Sequence, residues 1–282
     1  MSAEGWYIDG TPLEEFGRVI ENRDGWDDTP PLRGENVVLL GRHGESPRRM
    51  KYGPGRKTLA VAVHGVNEDW TAPSEPGPQR ALYEKNLDGL LRLIRPRPGM
   101  IPVLRVYADG SRRTALCQVI NALTPSTNPH EYTYGQVSFE LNVPGSFWLD
   151  EDARTYRLPY DVAGPDVQTV EAYSLAGGTA PCSDAVVTIT GPCDSISVRD
   201  AENGSGFSYG PLDGSDTLVV DAGAFSAVRN ATPVLTDLTI YDELLELSAA
   251  PTENRGPAVT ISAPGKGPAF RVVIEARRAW LR

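Results

Sequence analysis

The sequence predicts a mainly β chain in two parts, the first of which carries a single packed α-helix. Three observations predict it. Gly and Pro are abundant, 28 and 24 of 282 residues, which suits frequent turns better than long helices. Residues 58–63 and 134–143 show the period-2 alternation of a strand, and in 134–143 apolar side chains alternate with polar ones, as in a sheet with one wet face. Beyond residue 150, short strand-like runs recur at close spacing between Gly, Pro, Asp and Asn, the pattern of an antiparallel sandwich of jelly-roll type. With 40% hydrophobic and 23% charged residues, each part is able to bury a core.

The elements follow in order. Trp6, Tyr7 and Ile8 predict a strand, and Asp9–Gly10 a tight turn into the next. Residues 37–40, apolar between glycines, predict a short buried strand. In 58–63, Leu59, Val61 and Val63 face one way and Thr58, Ala60 and Ala62 the other. A proline-rich polar loop leads into the helix. There Tyr83, Leu87, Leu90, Leu91 and Ile94 form one apolar stripe and Arg80, Lys85, Asp88 and Arg92 the opposite face, with Pro96 as the stop. Such a helix covers a sheet or plugs the end of a sandwich. "IPVLRVY" and "TALCQVINAL" flank an Asp109–Gly110 turn and predict a hairpin. In 134–143, Val137, Phe139, Leu141 and Val143 face inward. A domain boundary is expected near Asp150, giving domains 1–150 and 151–282, because "DEDARTYRLPYDVAGPD" is polar and proline-bearing like a linker. Strands are then expected over 167–173, 185–190, 195–199, 217–221, 225–229, 258–261 and 270–275, and "YDELLELS" offers one helical turn.

The formal net charge of −10 is uneven: residues 1–150 hold 17 Lys/Arg against 19 Asp/Glu, and residues 151–282 hold 10 against 18. The acidic second part is a poor match for nucleic-acid phosphates. Basic residues Arg48, Arg49, Lys51, Arg56 and Lys57 are expected on a solvated rim or a protein interface. Cys117, Cys182 and Cys193, without a CxxC, predict neither a disulfide framework nor a zinc site, and are expected as reduced thiols. The start shows no signal-peptide pattern and no run approaches 18 apolar residues, so membrane insertion is not expected. No P-loop, dinucleotide fingerprint, GxSxG or HExxH occurs, and His43, His64 and His130 have no spacing that joins them to a nucleophile. No cofactor is implied.

One stretch gathers functional residue types: "ENRDGWDDTPPLRGENVVLLGRHGE", residues 21–45. Asp24, Asp27 and Asp28 with His43 and Glu45 resemble a hard-ion or acid–base set, though without the alternating oxygens of a calcium loop, and a metal-dependent hydrolase using Asp27, Asp28 and His43 is one reading. The fuller reading is a docking arm. Trp26 is an anchor of the type that dominates binding hot spots, Pro30 and Pro31 stiffen the chain, and Arg33, Arg42, Asp27 and Asp28 supply both charge signs. A separate candidate is sugar stacking by Trp148, Tyr156, Tyr160 or Tyr173, set against simple core packing of the same rings.

In order along nearly the whole chain, "RVIENRDGWDDTPPLRGENVVLLGRHGE", "YGPGRKTLAVAVHGVN", "YEKNLDGLLRLIRP", "VLRVYADGSRRTALCQVINAL", "GGTAPCSDAVVTITGPCDSISVRDAENGSGFSY" and "SYGPLDGSDTLVVDAG" resemble the distal tail protein (Dit) family of long, non-contractile-tailed phages, in an actinobacteriophage-like form. The resemblance implies an N-terminal β-sandwich or split-barrel domain with one helix and a C-terminal galectin-like sandwich. It implies a homo-oligomeric ring, usually of six copies, that joins tail tube to tail tip in the virion after synthesis in the host bacterial cytoplasm. The implied partners are the tail tube protein, the tape-measure protein and the tip or receptor-binding proteins. Genome DNA would pass through the channel without being read. The family brings no catalytic residues. The alternative is a carbohydrate-binding adhesion module recognising host cell-wall glycans.

Overall fold

The structure, a computed structural model of the 282-residue chain, describes residues 4–22, 28–34, 37–38, 45–46, 50–121, 124–127 and 133–282. The chain divides into two compact units, Met1–Trp148 with Leu281–Arg282, and Leu149–Trp280.

The first unit is built from strands β1 (Gly5–Ile8), β2 (Thr11–Pro12), β3 (Arg18–Asn22), β4 (Leu32–Arg33), β5 (Val37–Val38), β6 (Glu45–Ser46), β7 (Lys51–Tyr52) and β8 (Gly55–His64), helix α1 (Pro76–Ile94), and strands β9 (Ile101–Val106), β10 (Arg112–Val119), β11 (Thr124–Thr127) and β12 (Tyr134–Val143). The antiparallel order is β2-β1-β9-β10-β12-β8-β3, with β11 also on β12, while β4 pairs β7 and β5 pairs β6 as separate ribbons. Local chemistry sets the turns. Asp9 and Gly10 take φ of 52° and 76°, the two left-handed residues of the turn whose twist suits a hairpin. In the β9–β10 hairpin Gly110 has φ 81° and the Asp109 carboxylate accepts from Ser111 N–H at 2.8 Å.

β12 is the spine of the sheet. It pairs with β8 over its whole length, from Tyr134 opposite His64 to Val143 opposite Gly55. Val137, Phe139, Leu141 and Val143 are buried, as the alternation predicts. β8 departs from strict alternation, because Ala60 and Ala62 are buried as well as Leu59, Val61 and Val63. Their short side chains lie between longer cross-strand neighbours: Val19 and Gln136 flank Ala62, Asn22 and Ser138 flank Ala60. Lys57 is also a correction to the sequence reading. It is only 3% exposed and donates from Nζ to Asp28 O at 2.7 Å, so it anchors a loop rather than decorating a rim.

Helix α1 starts with Pro in its first turn and stops at Ile94, with Arg95 turned extended before Pro96. Its buried face is Tyr83, Asn86, Leu90 and Ile94. Leu87 and Leu91 flank that stripe, half-buried, and polar Asn86 takes a central place in it.

β13 (Trp148–Asp150) carries the chain into the second unit. There follow β14 (Arg154–Arg157), β15 (Val167–Glu171), β16 (Val186–Thr190), β17 (Ile196–Asp200), β18 (Gly206–Tyr209), β19 (Thr217–Asp221), β20 (Ser226–Arg229), β21 (Thr232–Pro233), β22 (Thr239–Tyr241), β23 (Ala258–Ser262), β24 (Arg271–Ala276) and β25 (Ala279–Trp280). One sheet runs β14-β24-β16-β19-β20-β21, the other β15-β23-β17-β18-β22, and their inward faces share one core that includes Ile189, Val198, Phe207, Leu218, Ile261 and Ile274. This is a β-sandwich. The stretch expected to be a linker contains β14, which lies at a sheet edge with a mostly exposed face; its polar sequence marks the edge, not a connection.

The helical turn expected at 241–248 is absent. Buried polar side chains take that segment's backbone groups instead. Asp200 accepts from Ser248 N–H at 2.8 Å, Ser205 Oγ accepts from Glu246 N–H at 2.9 Å, and Asn203 Nδ2 donates to Glu246 O at 2.6 Å. Leu247 exchanges a backbone pair with Cys182 at 2.8 and 2.9 Å. With these partners fixed, no i→i+4 ladder forms.

Candidate partner interface

The arm singled out in the sequence is described from Asp28 to Gly34; Asp24, Trp26, Asp27, Arg42 and His43 lie outside the described residues, as does the Glu45 side chain. Asp28 is exposed and held by its carbonyl to Lys57. Pro30 is buried, while Pro31 is exposed and accepts from Gly53 N–H at 2.7 Å. Leu32 then pairs with Tyr52 and Arg33 with Lys51. The segment is therefore one edge of a two-stranded ribbon. Its surface carries Leu32, 60% exposed, beside exposed Arg33 and Met50, while Tyr52 packs edge-on against Phe147 at 5.1 Å.

A second apolar surface lies on the outer face of the main sheet. Leu116, 54% exposed, stands opposite exposed Pro102, and Met100 and Ile120 extend the same face. Among the described residues, eight of eleven exposed large apolar side chains belong to the first unit: Phe16, Val19, Leu32, Met50, Trp70, Met100, Leu116 and Ile120. The second unit has Val167, Tyr173 and Phe225. Among the described residues, the first unit thus leaves more of its large apolar side chains open than the second.

The third feature is a cleft of about 490 Å³ in the first unit, between the bend before β3, the loop after β8 and one face of α1. Its lining includes Phe16, Arg18, Asp69, Leu82, Lys85 and Asn86. The cleft is built by close approach. Gly17 has φ 70°, and a Cβ there would sit 2.7 Å from His64 O and 2.9 Å from Asn86 Nδ2. Asn86 in turn donates to His64 O at 2.9 Å and Val66 O at 3.0 Å, pinning the helix to the end of β8. Arg18, 4% exposed, donates to Glu15 O at 2.8 Å and Pro12 O at 3.0 Å, with the exposed Phe16 ring over its guanidinium. Burial lowers its pKa, against a smaller opposing effect of Glu15. The Asp69 carboxylate is held below the usual carboxylate range by the Thr71 hydroxyl and amide. Sequence reasoning passed over this cleft; the one available signal was Asn86, a polar residue in line with Tyr83 and Leu90.

The aromatic candidates in and near the second unit separate. Trp148 is 2% exposed and stacks edge-on with Trp6 at 5.7 Å, so its ring is core and offers no face to a sugar. Tyr156 and Tyr160 pack half-buried on the sandwich core, and Tyr160 donates to Asp166 O at 2.8 Å and meets Phe270 edge-on. Tyr173 is exposed. Elsewhere the outer face of β17, β18 and β22 holds a groove of about 380 Å³ lined by Ser197, Ser208, Thr239 and Tyr241 among others. Arg199 stacks 3.3 Å over the Tyr241 ring, and the Ser208 and Tyr241 hydroxyls are 2.9 Å apart. The three cysteines are buried and unbridged, Cys117 pushed up to about 12 and Cys193 to about 11 by burial. Among the described residues no group of three or more His, Cys, Asp or Glu is placed to hold a metal ion, and no helix is long and apolar enough to cross a membrane.

The chain matches no protein-family model and no curated protein by sequence. In fold it is similar to the crystal structure of Dit from phage SPP1, described as a paradigm of the hub adsorption apparatus of phages that infect Gram-positive bacteria: TM-score 0.63 over 99% of both chains, at 10% identity. Chains of the phage p2 baseplate in its activated conformation, with Sr and with Ca, align over 98% of both chains at TM-scores of 0.37 and 0.36 and identities of 8% and 7%.

Proposed function

We propose that this chain, which has the fold of the SPP1 Dit protein, is a distal tail protein: a structural hub that forms a homo-oligomeric ring between tail tube and tail tip in a phage virion. One observation carries the reading. The fold likeness runs over 99% of both chains, so it embraces both units in one order and not a lone β-sandwich that many proteins share. The exposed apolar surface of the first unit supports assigning ring formation to residues 1–150, leaving the galectin-like sandwich of 151–282 to project. The work of such a protein is interface burial. Neighbouring copies would cover about 1,200 Å² or more of total area. The tail tube, tape-measure and tip or receptor-binding proteins would dock on the ring faces, with the genome passing through the channel unread. Assembly would occur in the host cytoplasm.

Native mass spectrometry and negative-stain imaging of the purified full chain test this. Closed rings, alone or on adding tail-tube protein, are the expected result. A monomer at every concentration, with and without that partner, would overturn it.

The groove on the second unit favours a second reading, glycan binding, because hydroxyls and the Tyr241 ring converge there, with Arg199 stacked on that ring. Pull-down on host cell walls is expected to fall with Arg199→Ala or Tyr241→Phe. Binding unchanged by either substitution would remove the groove from consideration.

A further inference from the structure

Trp70, in the loop between β8 and α1, is 48% exposed and takes φ 64°, a left-handed conformation that a bulky side chain rarely adopts. The loop holds it there. Asn67 N–H donates to Thr71 O at 2.9 Å, Trp70 N–H donates to Asn67 O at 3.0 Å, and the Asp69 carboxylate accepts from the Thr71 amide and hydroxyl. The His64 ring lies 6.3 Å from the indole and 5.0 Å from the Tyr134 ring. A half-exposed tryptophan fixed in a strained conformation is preorganised as a binding anchor. Its surroundings are acidic. Exposed Glu15, Glu21, Glu68, Asp69, Glu75 and Glu84 lie at this end of the unit, against buried Arg18, exposed Lys85 and Arg80, which is itself paired with Glu84 at 3.0 Å.

The same unit carries the opposite surface. The β4–β7 ribbon exposes aliphatic Leu32 and Met50, with Arg33 exposed and Lys51 half-buried beside them and Arg56 exposed at the start of β8. The acids there are exposed Asp28 and half-buried Glu140, the latter 3.5 Å from Arg56. The ribbon thus pairs aliphatic surface with a positive rim, where the loop pairs an indole with a negative one. β8 separates them. The ribbon leads from Tyr52 into Gly55, the first residue of β8, and the Trp70 loop leaves from His64, the last. Ten strand residues span about 30 Å, so loop and ribbon stand at opposite ends of one strand and do not meet within a copy. That is the arrangement a head-to-tail contact requires, since each copy offers one surface of each kind and the series can close.

We infer that the Trp70 loop of one copy docks on Leu32, Arg33, Met50 and Lys51 of a second copy of this chain. Such docking rests on the ring reading and supplies its contact. Charge exchange in the full-length chain tests it. A loop variant, Glu68→Lys with Glu75→Lys, and a ribbon variant, Arg33→Glu with Lys51→Glu, are each expected to need at least about tenfold more protein to assemble than wild type, because like charges then face each other. Mixed in equal amounts they are expected to assemble together at a total concentration at least about tenfold below that of either alone. In the mixture a basic loop meets an acidic ribbon at one contact, and the wild-type pairing forms at the next. Trp70→Gly removes the anchor and relieves its left-handed backbone, so it is expected to assemble as poorly as the charge variants while keeping a native melting temperature. Should the ribbon variant lose its native circular dichroism spectrum, Arg33→Glu alone takes its place. Any of these variants assembling like wild type, or a mixture no better than its parts, overturns the inference and leaves the ring reading standing. Loss of a tail partner's binding by the loop variant, with rings intact, would give the loop to that partner and overturn it equally. A wild type that forms no ring, with or without tail-tube protein, removes the ring reading itself and this contact with it.

Discussion

Asn86 shows what a single residue contributes that periodicity hides. Its place in the α1 stripe reads as an interruption of an apolar face, yet its amide closes two carbonyls where β8 ends, and Gly17 packs against it. Asn86→Leu would keep the volume and strand both carbonyls. The expected cost is about 1–3 kcal/mol, read as a lower urea midpoint with an unchanged slope; an unchanged midpoint would mean water serves those carbonyls equally well. The thiols make a second case at this scale. Three unspaced cysteines predicted reduced thiols, but the sequence could not say how protected they are, because depth depends on which strands cover them. Burial raises Cys117 to about 12 from an ordinary value near 9.0. An unfolded chain sheds that proton near 9.0 and the folded one near 12, so the contribution to stability is intact below pH 9 and falls as pH rises through the window. Thiol-specific reagents are expected to leave all three untouched at pH 8 until denaturant is added. Rapid labelling of the native protein would place one of them at the surface.

At the scale of elements, legibility tracked burial. β12 and the β9–β10 hairpin could be read directly, since period-2 burial and an Asp–Gly turn are local signals. β14 and the 241–248 segment could not. The first is a polar edge, and the second owes its path to Asp200, more than 40 residues away in sequence. Asp200 is buried and accepts from Glu202 and Asn203 N–H, Ser248 N–H and Ser248 Oγ, at 2.7–3.0 Å. Asp200→Ala therefore unlocks two segments at once and is expected to cost about 3 kcal/mol or more. Asp200→Asn keeps one acceptor oxygen and should lose less; equal losses would point to the charge rather than the bonds. The 21–45 stretch was read as a docking element from composition alone. The sequence did not reveal that Lys57 and Gly53 hold residues 28–33 beside the β7 strand, because both lie far along the chain. Trp26→Ala is expected to weaken assembly and leave the melting temperature of the unassembled chain within a few degrees of wild type. A melting temperature that collapses would make Trp26 a core residue.

For the whole molecule, the question is how far the two units are energetically separate. The core of the second is assembled from its own residues, from Leu158 and Val170 to Ile274 and Ala276, and closes between its own two sheets. A core complete in about 130 residues is well above the minimum size at which domains fold alone. Its exposed large apolar side chains are few, and its charge is strongly negative, which opposes self-association. The first unit is nearly neutral and carries most of the open apolar surface. Residues 149–280 expressed alone are therefore expected to unfold in one cooperative urea transition and to sediment as a monomer at concentrations where the full chain assembles. The two possible failures separate cleanly. A fragment without a cooperative transition would mean that the first unit stabilises the second, so that the contact boundary is not an energetic one. A fragment that folds and forms rings would move the assembly surface to the sandwich, and the apolar patches of the first unit would then have to serve a different protein.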